Sequence, residues 1–305
     1  MLLKVTFLGT SGTVPSPNRN PSAILIQFEG TRLLFDCGEG TQRQMMLAKT
    51  GFKIDSVFIT HLHTDHFIGI FGLIETMSLN ERTERLRVFV PEEEVEFVKT
   101  LFKMFGYHNL NYPIEVHGLR DGDEIDFGKF KILAFKTDHI VPSLGYALIE
   151  RDRPGKFDRA KAEALGIPPG PLYSKLVRGE AVEINGRVIT PDMVVGPKRK
   201  GRKIVYTGDT RPTDRIVEIA KDADLLIHDS SFTSDLMDWA IQTKHSTARE
   251  AAKVAKKANV RQLVLTHISA RYSKDVSPLL REAKEVFENV VVAEDFMTID
   301  IRYRD

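Results

Sequence analysis

The stretch Ile59-Thr60-His61-Leu62-His63-Thr64-Asp65-His66 constrains this chain more than any other. Three imidazoles and a carboxylate crowd into six residues, directly after the apolar run Val57-Phe58-Ile59. A continuous helix would spread these side chains around its axis, whereas a strand end entering a tight turn gathers them. Nitrogen and oxygen donors of this kind suit zinc and its neighbours. The stretch reads as half of a two-metal site, so the fold must deliver the other half from elsewhere. Cys37 is the only cysteine, which rules out an intrachain disulfide and leaves His and Asp as the zinc ligands.

The rest of the chain reads as apolar strands alternating with helices. Strands are expected at 3–8, 22–28, 31–36, 54–60, 86–90, 113–116, 124–127, 130–136 and 144–149, and again at 204–207, 224–229, 262–266, 290–294 and 296–302. Helices are expected at 41–47, 67–74, 91–105 with Pro91 at its start, 213–221, 246–258 and 277–288. Thr247-Ala248-Arg249-Glu250 is a capping-box pattern for the fifth of these helices. At 305 residues, 42% hydrophobic and 28% charged, the composition is that of a soluble globular protein. No run is long enough to span a membrane, and the opening residues read as a strand instead of a signal peptide. The lone cysteine points to a reducing, cytoplasmic setting.

One segment breaks the alternation. Residues 151–180 bring Pro154, Pro168, Pro169 and Pro171 together with several glycines, which rules out a continuous helix or central strand. It reads as a structureless functional insertion in a single 1–305 domain. From Arg151 to Lys203 there are 13 Lys/Arg against 6 Asp/Glu, while the remainder holds 30 against 36. A basic segment on a mildly acidic body suits a polyanionic ligand.

Several strands end in a His or Asp, the place where α/β folds collect their chemistry. The candidates are Asp36, His139, Asp209, His228 and His267. Asp209 has two oxygens and is able to bridge two cations. At this point the residues resemble a known group. His61-Leu62-His63-Thr64-Asp65-His66 with His139, Asp209 and His267 is similar to the metallo-β-lactamase superfamily. Phe35-Asp36-Cys37-Gly38-Glu39-Gly40-Thr41-Gln42-Arg43-Gln44, Val141 to Tyr146, His245-Ser246-Thr247 and Thr266 to Tyr272 resemble, within it, the short-form ribonuclease Z family of tRNA 3′-processing endoribonucleases. Thr64 departs from the small residue that this family often carries.

The resemblance implies an αββα four-layer sandwich with two Zn2+ ions at one edge, with Mn2+ or Fe2+ as substitutes. It assigns His61, His63 and His139 to one ion, Asp65, His66 and His267 to the other, and Asp209 to both. His228 falls outside the matched motifs and reads as structural; Asp36 reads as the partner that orients a ligand histidine. Asp65 is expected to orient the attacking water and take its proton, and His245 to protonate the departing 3′ oxygen. Arg271 is a candidate phosphate anchor. The insertion, with Arg153, Lys156 and Lys175, is similar to the family's tRNA-binding arm, and Lys198, Arg199, Lys200 and Arg202 to its basic loop. The partners implied are precursor tRNA and a second copy of the chain in a homodimer. A phosphodiesterase for a cyclic nucleotide or phospholipid, or a silent RNA-binding relative, are the alternatives.

Overall fold

The computed structural model describes residues 2–304. Its strands are β1 (Leu3–Gly9), β2 (Ala23–Phe28), β3 (Thr31–Phe35), β4 (Ser56–Phe58), β5 (Leu86–Pro91), β6 (Ile114–Leu119), β7 (Glu124–Asp126), β8 (Phe130–Lys136), β9 (Leu144–Glu150), β10 (Val182–Ile184), β11 (Arg187–Ile189), β12 (Lys203–Tyr206), β13 (Leu225–Asp229), β14 (Leu263–Thr266), β15 (Val290–Val292) and β16 (Thr298–Asp300). Its helices are α1 (Thr41–Leu47), α2 (Thr64–Phe67), α3 (Gly69–Leu79), α4 (Val95–Met104), α5 (Arg159–Ala164), α6 (Pro171–Val177), α7 (Asp214–Ala220), α8 (Met237–Thr243), α9 (Ala248–Lys257) and α10 (Ser277–Lys284). The chain divides into two compact units, one running to Leu148 and resuming at Lys203, the other Ile149–Arg202.

The larger unit is built on two seven-stranded sheets, ordered β16-β1-β2-β3-β4-β5-β6 and β15-β14-β13-β12-β9-β8-β7. Strands β1 to β3 form an antiparallel meander, and β3 to β6 then run parallel. In the other sheet β12 to β15 are parallel. One face of each sheet contributes to a shared core in which Phe7, Ile24, Phe35 and Phe58 meet Phe130, Tyr146, Tyr206 and Ile227. Phe58 stacks on Phe35 at 5.1 Å and on Phe89 at 4.6 Å, and meets the Tyr146 ring edge-on at 5.3 Å. Such contacts add about 0.5–1.5 kcal/mol each beyond the area they bury. The opposite face of the first sheet is covered by α1, α3 and α4 through Met45, Ile70, Leu73, Ile74 and Val98. Helix α9 packs an alanine face on β13 and β14, and α10 lies against β15. This is the expected αββα arrangement.

The smaller unit differs from the expectation in kind. It is ordered, with two short helices, a β10–β11 hairpin and a core of Ala162, Ile167, Leu176, Val182, Ile189 and Val194. The prolines do not prevent this. Pro171 occupies the first turn of α6, where its missing N–H costs nothing, and Asp158 caps α5 by accepting from the Lys161 amide at 3.0 Å. Its edges also fall outside 151–180: Glu150 and Arg202 are paired within it through both backbone and side chain.

Smaller differences have simple causes. Pro91 ends β5, and the α-helix expected from 91 begins at Val95 after a 3₁₀ turn over Glu92–Glu94. Helix α8, not expected at all, has only Ala240 buried and so carries little apolar periodicity. Among the described residues no helix is long and apolar enough to cross a membrane.

Candidate metal centre

The metal-ligand stretch divides into two halves. His61 and His63 lie on the loop after β4, and His63 is extended as the residue before α2. Asp65 and His66 then sit in the first turn of α2, so a short helix replaces the expected tight turn. Thr64 at its start is exposed. The other donors arrive from strand ends, as expected: Asp209 after β12, His267 after β14, and His139 after β8.

Among the described residues three overlapping groups have donor atoms within 4.8 Å of one another: His61/His63/His139/Asp209, Asp65/His66/His267 and Asp209/Asp229/His245/His267, the first two made up of the seven expected ligands. His61 Nε2 is 2.9 Å from His63 Nδ1, which is 3.3 Å from His139 Nε2. His267 Nε2 lies 3.3 Å from Asp65 Oδ2 and 3.2 Å from Asp209 Oδ2; His66 Nε2 is 3.3 Å from Asp209 Oδ1. Burial, followed by neighbouring imidazoles, holds His61 well below the usual histidine range, and burial also lowers His63 and His139. Neutral imidazole is the form that binds a metal. Burial pushes Asp65 upward, but its hydrogen bond to His267 and the nearby His66 outweigh this and hold it at about 2.

The arrangement fits cations on a structural test. Asp65 Oδ1 is buried with no hydrogen-bond partner, and His66 Nε2 and Asp209 Oδ1, also buried, face each other at 3.3 Å without a well-aligned hydrogen bond. A buried polar atom left unsatisfied costs about 1–3 kcal/mol. All three are metal-donor atoms, drawn from both of the ligand groups.

A second ring of contacts sets the orientation of each donor. Asp36 is fully buried and accepts from the Thr60 amide at 2.8 Å and the Tyr206 hydroxyl at 2.6 Å, and it holds His66 Nδ1 at 2.7 Å. This fixes His66 with Nε2 directed inward, the orienting role expected for Asp36. His139 Nδ1 donates to the Lys244 carbonyl at 3.1 Å, and His267 Nδ1 pairs with Ser231 Oγ at 2.8 Å. Asp36 and His267 both adopt left-handed backbone conformations, with φ of 57° and 59°. For non-glycine residues this costs about 1–3 kcal/mol and must be held by the surroundings. Two glycines make room for this packing. A Cβ on Gly12 would stand 2.9 Å from the His267 ring, and one on Gly208 2.8 Å from Thr60.

His245 lies beside the cluster, its ring stacked on that of His267 at 4.9 Å. Its partner is Asp229, which the sequence reading passed over: Asp229 Oδ2 is 2.8 Å from His245 Nδ1. The other oxygen of Asp229 accepts from Ser231 Oγ at 2.8 Å, so one carboxylate braces both His245 and the residue that orients His267. Asp229 also ends an apolar strand, the same signal that marks Asp209. His228 is buried, with Nδ1 on the Asp229 carbonyl at 2.7 Å, and stands apart from the two donor groups.

Burial opposes charge on His245, but the Asp229 carboxylate outweighs it and, with Asp209, raises the pKa to about 9. Its proton therefore contributes stability fully present below the ordinary value of 6.5 and lost as pH rises through about 9. In metal-free protein followed by NMR, His245 is expected to titrate near 9. Asp229→Asn should lower it markedly, because burial is then opposed mainly by Asp209. A wild-type midpoint at or below 6.5 would show that the pair does not form.

The residues expected to meet substrate are placed unequally. Arg271 lines a groove of about 200 Å³ with His245, His267, Phe232 and Gly12, and its guanidinium stands 5.9 Å over the Phe232 ring. Lys156, Lys175, Lys198 and Lys200 are exposed, and Arg153 and Arg199 are half-buried. Arg202 is a correction: it is 2% exposed, with Nε on Glu150 at 2.7 Å, and is not available to a ligand. Arginine's planar fork suits such a buried pair, and an excess of charge along a segment does not reveal which cation is turned inward.

Comparison with known proteins agrees with this geometry. Residues 3–153 match the family model described as anti-Pycsar protein Apyc1, and 189–268 match that of the β-lactamase superfamily domain. The chain is 66% identical over 305 residues to ribonuclease Z of Archaeoglobus fulgidus and 55% identical over 304 to that of Methanosarcina acetivorans, covering 99% of each chain in both cases. Among solved structures it is similar to human tRNase Z, short form, with a TM-score of 0.71 and 29% identity over 98% of this chain and 99% of that one. A Bacillus subtilis metallo-β-lactamase fold protein, 22% identical with a TM-score of 0.70, shares the fold. With identities this high over 99% of its length, the chain belongs to the ribonuclease Z family.

Proposed function

We infer that this chain is a cytoplasmic, metal-dependent endoribonuclease that removes the 3′ trailer from precursor tRNA. The observation that carries the reading is the convergence of the donor groups on the buried Asp209, whose two oxygens face His66 and His267. His61, His63 and His139 would hold one ion and Asp65, His66 and His267 the other, with Asp209 serving both. The nitrogen and oxygen donor set favours zinc and also admits manganese or iron. When bound, such a pair lowers the pKa of water and neutralises charge on the phosphate.

The chain's own residues supply the rest. Asp65 is ionised at any working pH, which fits it to orient the attacking water; we assign it that water's proton on its place beside the second donor group. His245 carries its proton under the hold of Asp229 and delivers it to the departing 3′ oxygen. Arg271, in the groove beside His245, anchors a phosphate, and the exposed lysines of 149–202 hold the RNA backbone, where recognition is by shape and charge. We further propose a homodimer in which this segment of one subunit serves the site of its partner.

Cleavage of one 3′-extended precursor, with the product ends mapped, tests the reading. The tRNA product is expected to end in a 3′-hydroxyl and the trailer to begin with a 5′-phosphate. A chelator should stop the reaction and added Zn2+ or Mn2+ restore it. Parallel assays on cyclic nucleotides and phospholipid diesters should show far less turnover. An intact precursor alongside rapid hydrolysis of one of those diesters would replace this reading with the phosphodiesterase one.

A further inference from the structure

We propose that Arg211 is a positioning residue for His245, acting through a clamp that it forms with Glu250; the inference rests on the proton-donor role given to His245 above. The loop carrying His245 is irregular. Lys244 before it has a φ of 58°, a conformation that L residues other than glycine adopt only when held. The His245 side chain is fixed by Asp229, but the direction in which it leaves the backbone depends on the peptide on either side. The His245 amide donates to the Ala240 carbonyl at 2.9 Å, and the His245 carbonyl accepts from Arg211 Nη1 at 2.5 Å. The same guanidinium grips both oxygens of Glu250. Both side chains are 14% exposed, so water competes little for these bonds.

Arg211 is well placed to join the catalytic loops. It lies two residues beyond Asp209, and its own amide donates to the Asp138 carbonyl at 2.9 Å, next to His139. Lys244 closes the circle from the other side, with Nζ 3.1 Å from Asp138 Oδ1 and its carbonyl on His139 Nδ1. Glu250 in turn belongs to the capping box of α9, where it accepts from the Thr247 amide at 3.0 Å. That box is complete without Arg211, because Thr247 Oγ1 still accepts from the Glu250 amide at 3.2 Å. Loss of the guanidinium would leave the helix capped while freeing the His245 carbonyl. The fold should survive, and the aim of His245 should not.

The test compares Arg211→Met, Arg211→Lys, His245→Ala and the double variant Arg211→Met/His245→Ala, each loaded with Zn2+, in single-turnover cleavage of saturating precursor tRNA. Bis(p-nitrophenyl) phosphate is the second substrate, because p-nitrophenolate departs without needing a proton. Arg211→Met should slow precursor cleavage by about 10- to 100-fold, as displaced catalytic groups do. It should lose much less on the small diester, with unchanged metal content and unchanged precursor affinity. Arg211→Lys, which is able to reach one of the two partners, should recover part of the rate. The double variant should be no slower than His245→Ala alone, since the two act as a unit. Hydrogen exchange in metal-free Arg211→Met should quicken at the His245 and Ser246 amides while the body of α9 stays protected.

Wild-type cleavage by Arg211→Met beside an impaired His245→Ala would overturn the proposal and leave the role of His245 standing. Equal loss on both substrates, or losses that multiply in the double variant, would overturn it as well. A His245→Ala enzyme as fast as wild type on precursor would overturn the proton-donor role itself.

Discussion

Asp65→Ala is expected to slow single-turnover cleavage of a 3′-extended precursor tRNA by about 10³-fold or more, with the fold intact by circular dichroism. General acid–base groups contribute about 10²–10⁴-fold, and this one also belongs to a metal-donor group. Its two oxygens are in different situations: Oδ2 faces His267 Nε2 at 3.3 Å, whereas Oδ1 is buried without a partner. A carboxylate held at about 2 is ionised near neutrality, so it accepts a hydrogen bond from the attacking water; being a weak base, it takes the proton only as far as that water is made acidic. Asp65→Asn separates the two roles. It keeps an oxygen donor of the same shape and removes the basicity, so it should hold much of its metal yet remain slow. Full metal content with a rate within tenfold of wild type would mean that Asp65 takes no proton. Full rate in Asp65→Ala would remove it from the chemistry altogether.

What the sequence made legible follows from how local each signal is. The His61–His66 stretch and the strand ends at Asp209 and His267 could be read because ligand spacing and apolar runs are short-range patterns, and the fold merely brings them together. Asp36 was legible as an orienting partner for a similar reason: it closes β3, next to β4 in the same sheet. Asp229 was not, although it obeys the same rule. Its importance comes from two contacts, with His245 and Ser231, that are set by loop conformation. Arg211 and Lys244 were invisible for the same reason, since their roles depend on a backbone carbonyl and a left-handed turn. The insertion was misjudged because Pro and Gly mark the ends of elements as strongly as their absence. A core of six small and medium apolar residues, spread from Ala162 to Val194, leaves little periodicity to detect. Arg202 shows the limit of charge counting: a cation facing Glu150 inside a core and one facing solvent look the same along a sequence.

Removing the body of the smaller unit should cost precursor cleavage about 10²-fold in kcat/KM and leave hydrolysis of bis(p-nitrophenyl) phosphate nearly unchanged. The structure shows where to cut. Arg153 and Arg199 exchange backbone hydrogen bonds at 2.8 and 2.9 Å, so a two-residue Asn-Gly turn is able to replace 154–198 between them. That excision takes away the whole small core and keeps the buried Glu150–Arg202 pair. A shorter deletion of 155–175 would remove Ala162 and Ile167, strand Leu176 and Val182, and confuse misfolding with lost recognition. The excised piece carries 7 Lys/Arg against 5 Asp/Glu, so bulk charge is not what is lost. Arg159, Lys161 and Arg178 already face Glu163, Asp158 and Glu180. The loss should fall on the exposed Lys156, Lys175, Arg187 and Lys198, and three phosphate contacts among these four at roughly 1 kcal/mol each account for the factor of about 10². The dependence of precursor binding on salt is the second measurement. Each phosphate contact that disappears should flatten the slope of log K against log salt by about 0.9. An unchanged slope with an unchanged kcat/KM would take RNA recognition away from this segment, and equal loss on both substrates would make it a part the catalytic fold depends on.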